Sequence, residues 1–159
     1  MDDLHASVNQ ELVNKRRARV LELLAGAVVH DKYARNVNHE KRVGDTAVSI
    51  NGVQQTPGVL DVCFWASCCA NGEFYDCKAN VQCVEHVSGK VKLLSNIYHG
   101  LFDPEDNRRS RVGIISFGDV DYVRAVVGDC PHSDEVEVYG EQTFLTQLPA
   151  ARVCNCQPL

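Results

Sequence analysis

The sequence predicts an α+β domain, an N-terminal helix followed by a mostly antiparallel β-sheet. Two observations predict that class. Residues 8–35 carry apolar side chains at helical spacing, with Val13, Val20, Leu21, Leu24 and Val28 near one face. From residue 58 the pattern changes to short runs of β-branched and aromatic residues separated by turn formers. A third observation adds a metal site near the C-terminal edge of the sheet. Cys130-Pro131-His132 and Cys154-Asn155-Cys156 lie on either side of the last β-like stretch. Two close pairs of thiolate and imidazole donors are what a tetrahedral zinc ion takes.

Each element follows in order. Ser7 or Asn9 caps the first helix, and Glu11 lies in its first turn. Gly26 inside it costs about 1 kcal/mol relative to alanine. Residues 36–57 are polar and rich in turn formers, and read as a linker. Val59-Leu60-Asp61-Val62-Cys63-Phe64-Trp65 reads as a strand. Val81 to Val87 and Lys90 to Leu94 read as strands of a hairpin turning at Ser88-Gly89. Arg111 to Phe117 reads as a buried strand, and residues 119–127 fit helix or strand. Glu135 to Tyr139 alternates, and Gly140-Glu141 turns it into a partner strand at Thr143 to Thr146. The whole of 1–159 is expected to be a single domain, with a helical arm at 8–35 and a β-rich body at 58–159.

Composition bounds the function. Apolar residues make up 45% and charged residues 23%, a globular balance that argues against a disordered chain. The net charge of −5 argues against whole-surface adhesion to nucleic acid. It is unevenly spread: residues 1–42 hold eight Lys/Arg against six Asp/Glu, and the remainder eight against fifteen. The N-terminus, Met1-Asp2-Asp3-Leu4-His5, lacks the basic and apolar regions of a signal peptide. No apolar run reaches the roughly 18 residues of a membrane span. These features place the chain in a reducing compartment, cytoplasmic or nuclear, without membrane partners. The eight cysteines are then thiols or metal ligands rather than a disulfide framework.

The zinc quartet Cys130, His132, Cys154 and Cys156 depends on the predicted 135–148 hairpin, whose two ends would bring the pairs together. A second zinc site would draw on Cys68, Cys69, Cys77 and Cys83. One zinc ion is expected, or two if this second cluster also binds. Lys15, Arg16, Arg17 and Arg19 form a basic stripe on the first helix. Arg108, Arg109 and Arg111 form a basic segment entering a strand. Both suit phosphate or an acidic partner.

A catalytic alternative rests on Asp61-Val62-Cys63-Phe64-Trp65. This segment resembles the nucleophile region of OTU-type and papain-like cysteine proteases, a cysteine before an aromatic residue. The resemblance implies a cysteine hydrolase with Cys63 as nucleophile, His132 as base and Asp134 as its orienter. In size and composition the chain resembles the small cysteine-rich accessory proteins that viruses encode. The favoured expectation is a non-enzymatic, zinc-binding regulatory protein whose partner is RNA or another protein. A homodimer through the first helix is a further expectation.

Overall fold

The computed structural model describes residues 2–35, 39–50, 52–67, 70–101, 105 and 109–154; the side chains of residues 2–8, 56 and 57 are not described. The chain runs α1 (Asp2–Lys32), β1 (His39–Ile50), β2 (Val53–Ala66), β3 (Asn71–Lys78), α2 (Ser88–Leu101), β4 (Ser110–Ser116), α3 (Val120–Gly128), β5 (Val136–Tyr139) and α4 (Phe144–Ala150). The five strands form one sheet in the order β1-β2-β3-β4-β5. The α+β class holds, but the sheet is mixed. β1, β2 and β3 pair antiparallel, whereas β3, β4 and β5 pair parallel.

Parallel neighbours need crossover connections. These supply the corrections to the expected elements. The predicted hairpin at 81–94 is a 3-10 turn, Val84–His86, followed by α2. Val91, Leu94 and Ile97 recur at three-residue spacing and are buried together, as one face of a helix does, and Val91 and Leu94 fall in the segment read as strands. The stretch 119–127 is α3, capped by Asp119, whose carboxylate accepts from the backbone N–H of Asp121 and of Tyr122 at 3.0 Å each. The expected strand at 143–146 is instead α4, with Phe144 and Leu148 buried one turn apart. The expected linker at 36–57 holds β1 and the start of β2.

Two cores sandwich the sheet. α2 and α3 cover one face through Val91, Leu94, Ile97, Val123 and Val127 against Phe74, Val112 and Ile114. α1 and α4 cover the other through Leu21, Ala25, Val29, Phe144 and Leu148 against Val62, Tyr75 and Ile115. The buried stripe of α1 is therefore Leu21, Ala25 and Val29. Val13, Val20 and Leu24, expected inside, are exposed. Gly26 is where the helix touches β1, since a Cβ there would stand 2.5 Å from a methyl of Val43.

The end of α1 is fastened by a buried polar network. Lys32 donates to Glu73 at 2.6 Å and to the carbonyls of Leu148 and Ala151 at 2.9 and 2.5 Å. Tyr33 and Tyr75 each donate their hydroxyl to Glu73, and the backbone N–H of Val153 donates to the Tyr33 oxygen at 2.9 Å. Tyr33 also stacks on Phe64, with ring centroids 3.8 Å apart. One carboxylate thus ties α1, β3 and the C-terminal segment together.

Candidate active site

β2 and β3 separate just where two acidic residues meet. Their last paired residues are Val62 and Tyr75, so Asp61 and Asp76 are the next opposed positions. Asp61 takes over the ladder with its side chain, accepting the backbone N–H of Cys77 at 2.7 Å. Asp76 is fully buried. Lys78, two residues on, stands 2.9 Å from one of its oxygens, and Lys90 from the start of α2 stands 3.1 Å from the other. Lys90 also donates to the carbonyl of Val59. Both carboxylate oxygens are thus ion-paired, one to each lysine.

The electrostatics match this geometry. Burial, with Asp76 opposite, raises the Asp61 carboxyl to about 6. The thiol of Cys77, between Asp76 and Lys78, is pushed well above its ordinary value by burial and the same carboxylates. Burial works to lower Lys78, but Asp76 and Asp61 outweigh it and hold the ammonium above its ordinary value. A cavity of about 440 Å³ opens from here towards α1, lined by Asp61 and Lys78 on the sheet, Lys15 and Glu22 on α1, and Gln82 and His86 after β3. Its floor is the carboxyl end of β3, the first strand of the parallel ladder. Open α/β sheets take their ligands outside the carboxyl ends of parallel strands.

The structure separates most of the residues grouped from the sequence. Cys130 is buried in the core under α2 and α3, where its thiol points at the carbonyl of Val126 at 3.4 Å. Cys154 is buried on the opposite face of the sheet and is disulfide-bonded; its partner is outside the described residues. The connection from β5 runs into α4, so no hairpin joins the two segments. His132 is exposed in the turn before β5 with a positive φ of 66°, and Cys156 lies outside the described residues. Of the second cluster, Cys77 is buried and Cys83 half-buried as free thiols, while Cys68 and Cys69 lie outside the described residues. Among the described residues no three His, Cys, Asp or Glu side chains are gathered as a ready metal-binding group.

Cys63 and His132 are not brought together either. β2 and β5 are separated by β3 and β4, about 14 Å at the usual strand spacing. Burial, with Asp61 beside it, pushes the Cys63 thiol up to about 12, the reverse of what a nucleophile needs. Asp134 sits in the same turn as His132.

The basic residues divide. Lys15, Arg16, Arg17 and Arg19 are exposed on α1, and Lys15 lines the cavity. Arg111 is half-buried and bound to Glu137 and Tyr139. Arg109 is exposed, with its backbone tied to Asn71 at 2.6 Å, and Arg108 lies outside the described residues. No described helix is long and apolar enough to cross a membrane. Comparison with protein-family models, with curated proteins and with solved structures finds no match to this chain.

Proposed function

We propose that this protein is a divalent-cation-dependent phosphodiesterase acting on nucleic acid. The observation that supports the reading is Asp61 and Lys78 in the lining of a cavity that Lys15 of α1 also lines, with the buried Asp76 opposite Asp61 at the end of the β2–β3 ladder. Two carboxylates suit a hard cation such as Mg²⁺ or Mn²⁺, which binds through one or two carboxylates and keeps several waters. They fall short of the four ligands a structural zinc requires. The raised carboxyl of Asp61 supplies the chemical fit, since a cation would favour its charged form. This reading is preferred to the zinc quartet, of which Cys130 and Cys154 lie on opposite faces of the sheet, and to the cysteine hydrolase, whose Cys63 and His132 lie apart. It keeps nucleic acid as the partner.

In the proposed reaction Asp61, with Asp76 beside it, would hold the cation, which would supply polarisation of a phosphoryl oxygen and acidification of a water. Water adds to phosphorus as the ester P–O bond breaks. The products are a phosphomonoester and a hydroxyl, with the water's proton transferred to the departing oxygen. Lys78 stays protonated and stabilises the charge that develops on the phosphoryl oxygens. Lys90 positions Asp76 from behind. Lys15 is placed to hold a neighbouring phosphate.

The test is cleavage of single-stranded DNA, duplex DNA and RNA by purified protein with Mg²⁺ or Mn²⁺. Cleavage that stops on chelation, and that falls by about 10³-fold in Asp76→Asn and about 10²-fold or more in Lys78→Met, is the expected result. Equal cleavage by wild type and Asp76→Asn would mark the activity as a contaminant and end the proposal.

A further inference from the structure

A second cavity, of about 500 Å³, lies on the face of the sheet that α2 covers, and Leu101 at the end of α2 forms one of its walls. Two neighbouring rows of the sheet build its floor. Glu40 of β1 stands opposite Trp65 of β2, which stands opposite Gly72 of β3. In the next row Arg42 stands opposite Cys63, and Cys63 opposite Phe74. Residues directly opposed across strands share a face, and Glu40, Arg42, Cys63, Trp65 and Phe74 all line the cavity. The glycine in the first row lets the two aromatic rings converge. A Cβ on Gly72 would stand 2.6 Å from the Phe74 ring and 2.8 Å from the Trp65 ring. Phe74 is buried, but Trp65 is half-buried, so part of the indole is left to a ligand. The charged rim comes from β1, the edge strand. Arg42 and Glu40 stand 3.5 Å apart with side chains 66% and 71% exposed, and an exposed ion pair of this kind is worth little in water.

We infer that this cavity binds a ribonucleoside monophosphate. The converging faces of Trp65 and Phe74 select a planar aromatic ring, because every base has a face to stack. Arg42 presents a fork of donors that matches phosphate. Glu40 accepts hydrogen bonds and donates none, so it repels a bare anion and calls for donors beside the phosphate. A ribose supplies them, as a carboxylate holds the ribose 2′-hydroxyl in dinucleotide sites. Inorganic phosphate offers nothing to the rings, and an aromatic acid offers nothing to Glu40. The volume falls within the range of about 300–1,000 Å³ usual for small-molecule pockets. The site lies on the face of the sheet away from α1, whereas the cavity of Asp61 and Lys78 is lined by α1. Its occupancy is therefore independent of the proposed phosphodiesterase activity.

Trp65 is the single tryptophan of the chain, so its fluorescence reports on this cavity. The experiment is titration of AMP, dAMP, adenosine, phenylacetate and inorganic phosphate, without divalent cation, into wild type, Arg42→Met, Glu40→Gln and Lys78→Met, followed by Trp65 emission and by calorimetry. Arg42 and Glu40 are exposed, so changing them leaves the core intact. AMP should alter the emission and bind more tightly than any of the other four ligands. Arg42→Met should weaken AMP by about 10-fold or more and leave adenosine unchanged, as loss of a charge-assisted hydrogen bond does. Glu40→Gln should bring AMP down to the affinity of dAMP. Lys78→Met should bind AMP as wild type does. The site is wrong if millimolar AMP gives neither an emission change nor heat, or if Arg42→Met binds AMP as wild type does. Equal affinity for AMP and dAMP, or for AMP and phenylacetate, would overturn the ribonucleotide. Loss of AMP binding in Lys78→Met but not in Arg42→Met would put the nucleotide in the other cavity and overturn the site as well.

Discussion

Two clusters of buried charge lie on neighbouring stretches of β3, three residues apart, and they are built on opposite principles. Around Glu73 every group is answered. Its carboxylate accepts from Lys32, Tyr33 and Tyr75, and Lys32 spends its remaining protons on two carbonyls at the end of the chain. Around Asp76 two lysines pair with one buried carboxylate while the neighbouring carboxyl of Asp61 has no cation of its own and is raised to about 6. Both clusters use Lys and carboxylates in the interior of one strand. The saturated one holds elements together. The unsaturated one has capacity left for something the chain does not itself provide, and perturbed groups of this kind concentrate at functional sites.

The largest effect expected from breaking the comparison is on stability, at the saturated cluster. Lys32→Met removes three hydrogen bonds at once and leaves Glu73 with no cation and the Leu148 and Ala151 carbonyls unpaired. Removing one partner of a buried pair costs about 3–5 kcal/mol. Urea unfolding of Lys32→Met should show a loss of that size with an unchanged m-value. A near-neutral result would mean that the network is as dispensable as a surface ion pair, and the contrast with Asp76 would collapse.

The unsaturated cluster should respond with the opposite sign. The folded-state value of Asp61 lies above the unfolded value near 3.8, so the native protein keeps a proton that the unfolded chain has lost. Its contribution to stability therefore falls as pH rises from about 4 to about 6, and the full cost remains above that. Two units correspond to about 3 kcal/mol. Asp61→Asn keeps an oxygen to accept the Cys77 N–H and removes the charge. It should be more stable than wild type at pH 7.5 by about 1–3 kcal/mol, while the difference shrinks towards pH 4. A variant destabilised equally at both pH values would show Asp61 to be structural.

Much of this was legible in the sequence, and the failures have physical causes. The α+β class, the strand at 111–117 and the alternation at 135–139 followed from periodicity. The crossover helices did not, because short apolar segments such as Val81 to Leu94 satisfy strand and helix patterns alike. Reading 143–146 as a strand generated the zinc quartet, since a hairpin at 135–148 would have joined Cys130 to Cys154 and the turn into α4 does not. The exposed basic face of α1 was read directly, but its role beside a cavity was not. The strongest missed signal was charge inside strands. Asp61 within Val-Leu-Asp-Val, and Glu73 and Asp76 within Gly-Glu-Phe-Tyr-Asp-Cys-Lys, are residues almost never buried unless paired. Their spacing does not reveal which one is satisfied, because Lys32 lies 41 positions from Glu73 in sequence.

The smallest effect, and the one that separates the two clusters most directly, is stabilisation by cation. A ligand that binds the native state raises stability by RT ln(1 + [L]/Kd), about 2.7 kcal/mol at a hundredfold excess over Kd and less for weak binding. Because the proton and the cation compete for the same carboxylate oxygens of Asp61, the gain should be present above its titration near pH 6 and lost below it. Thermal melts with millimolar Mn²⁺ should therefore rise by a few degrees at pH 7.5 and stay unmoved at pH 4.5. Asp61→Asn should abolish the rise at pH 7.5. A charge-conserving change on the surface of α1, Arg16→Lys, should leave it intact. Glu73, with both oxygens already accepting from three donors, predicts no such response, so a melt that rises equally in Asp61→Asn would place the cation elsewhere and dissolve the distinction between the clusters.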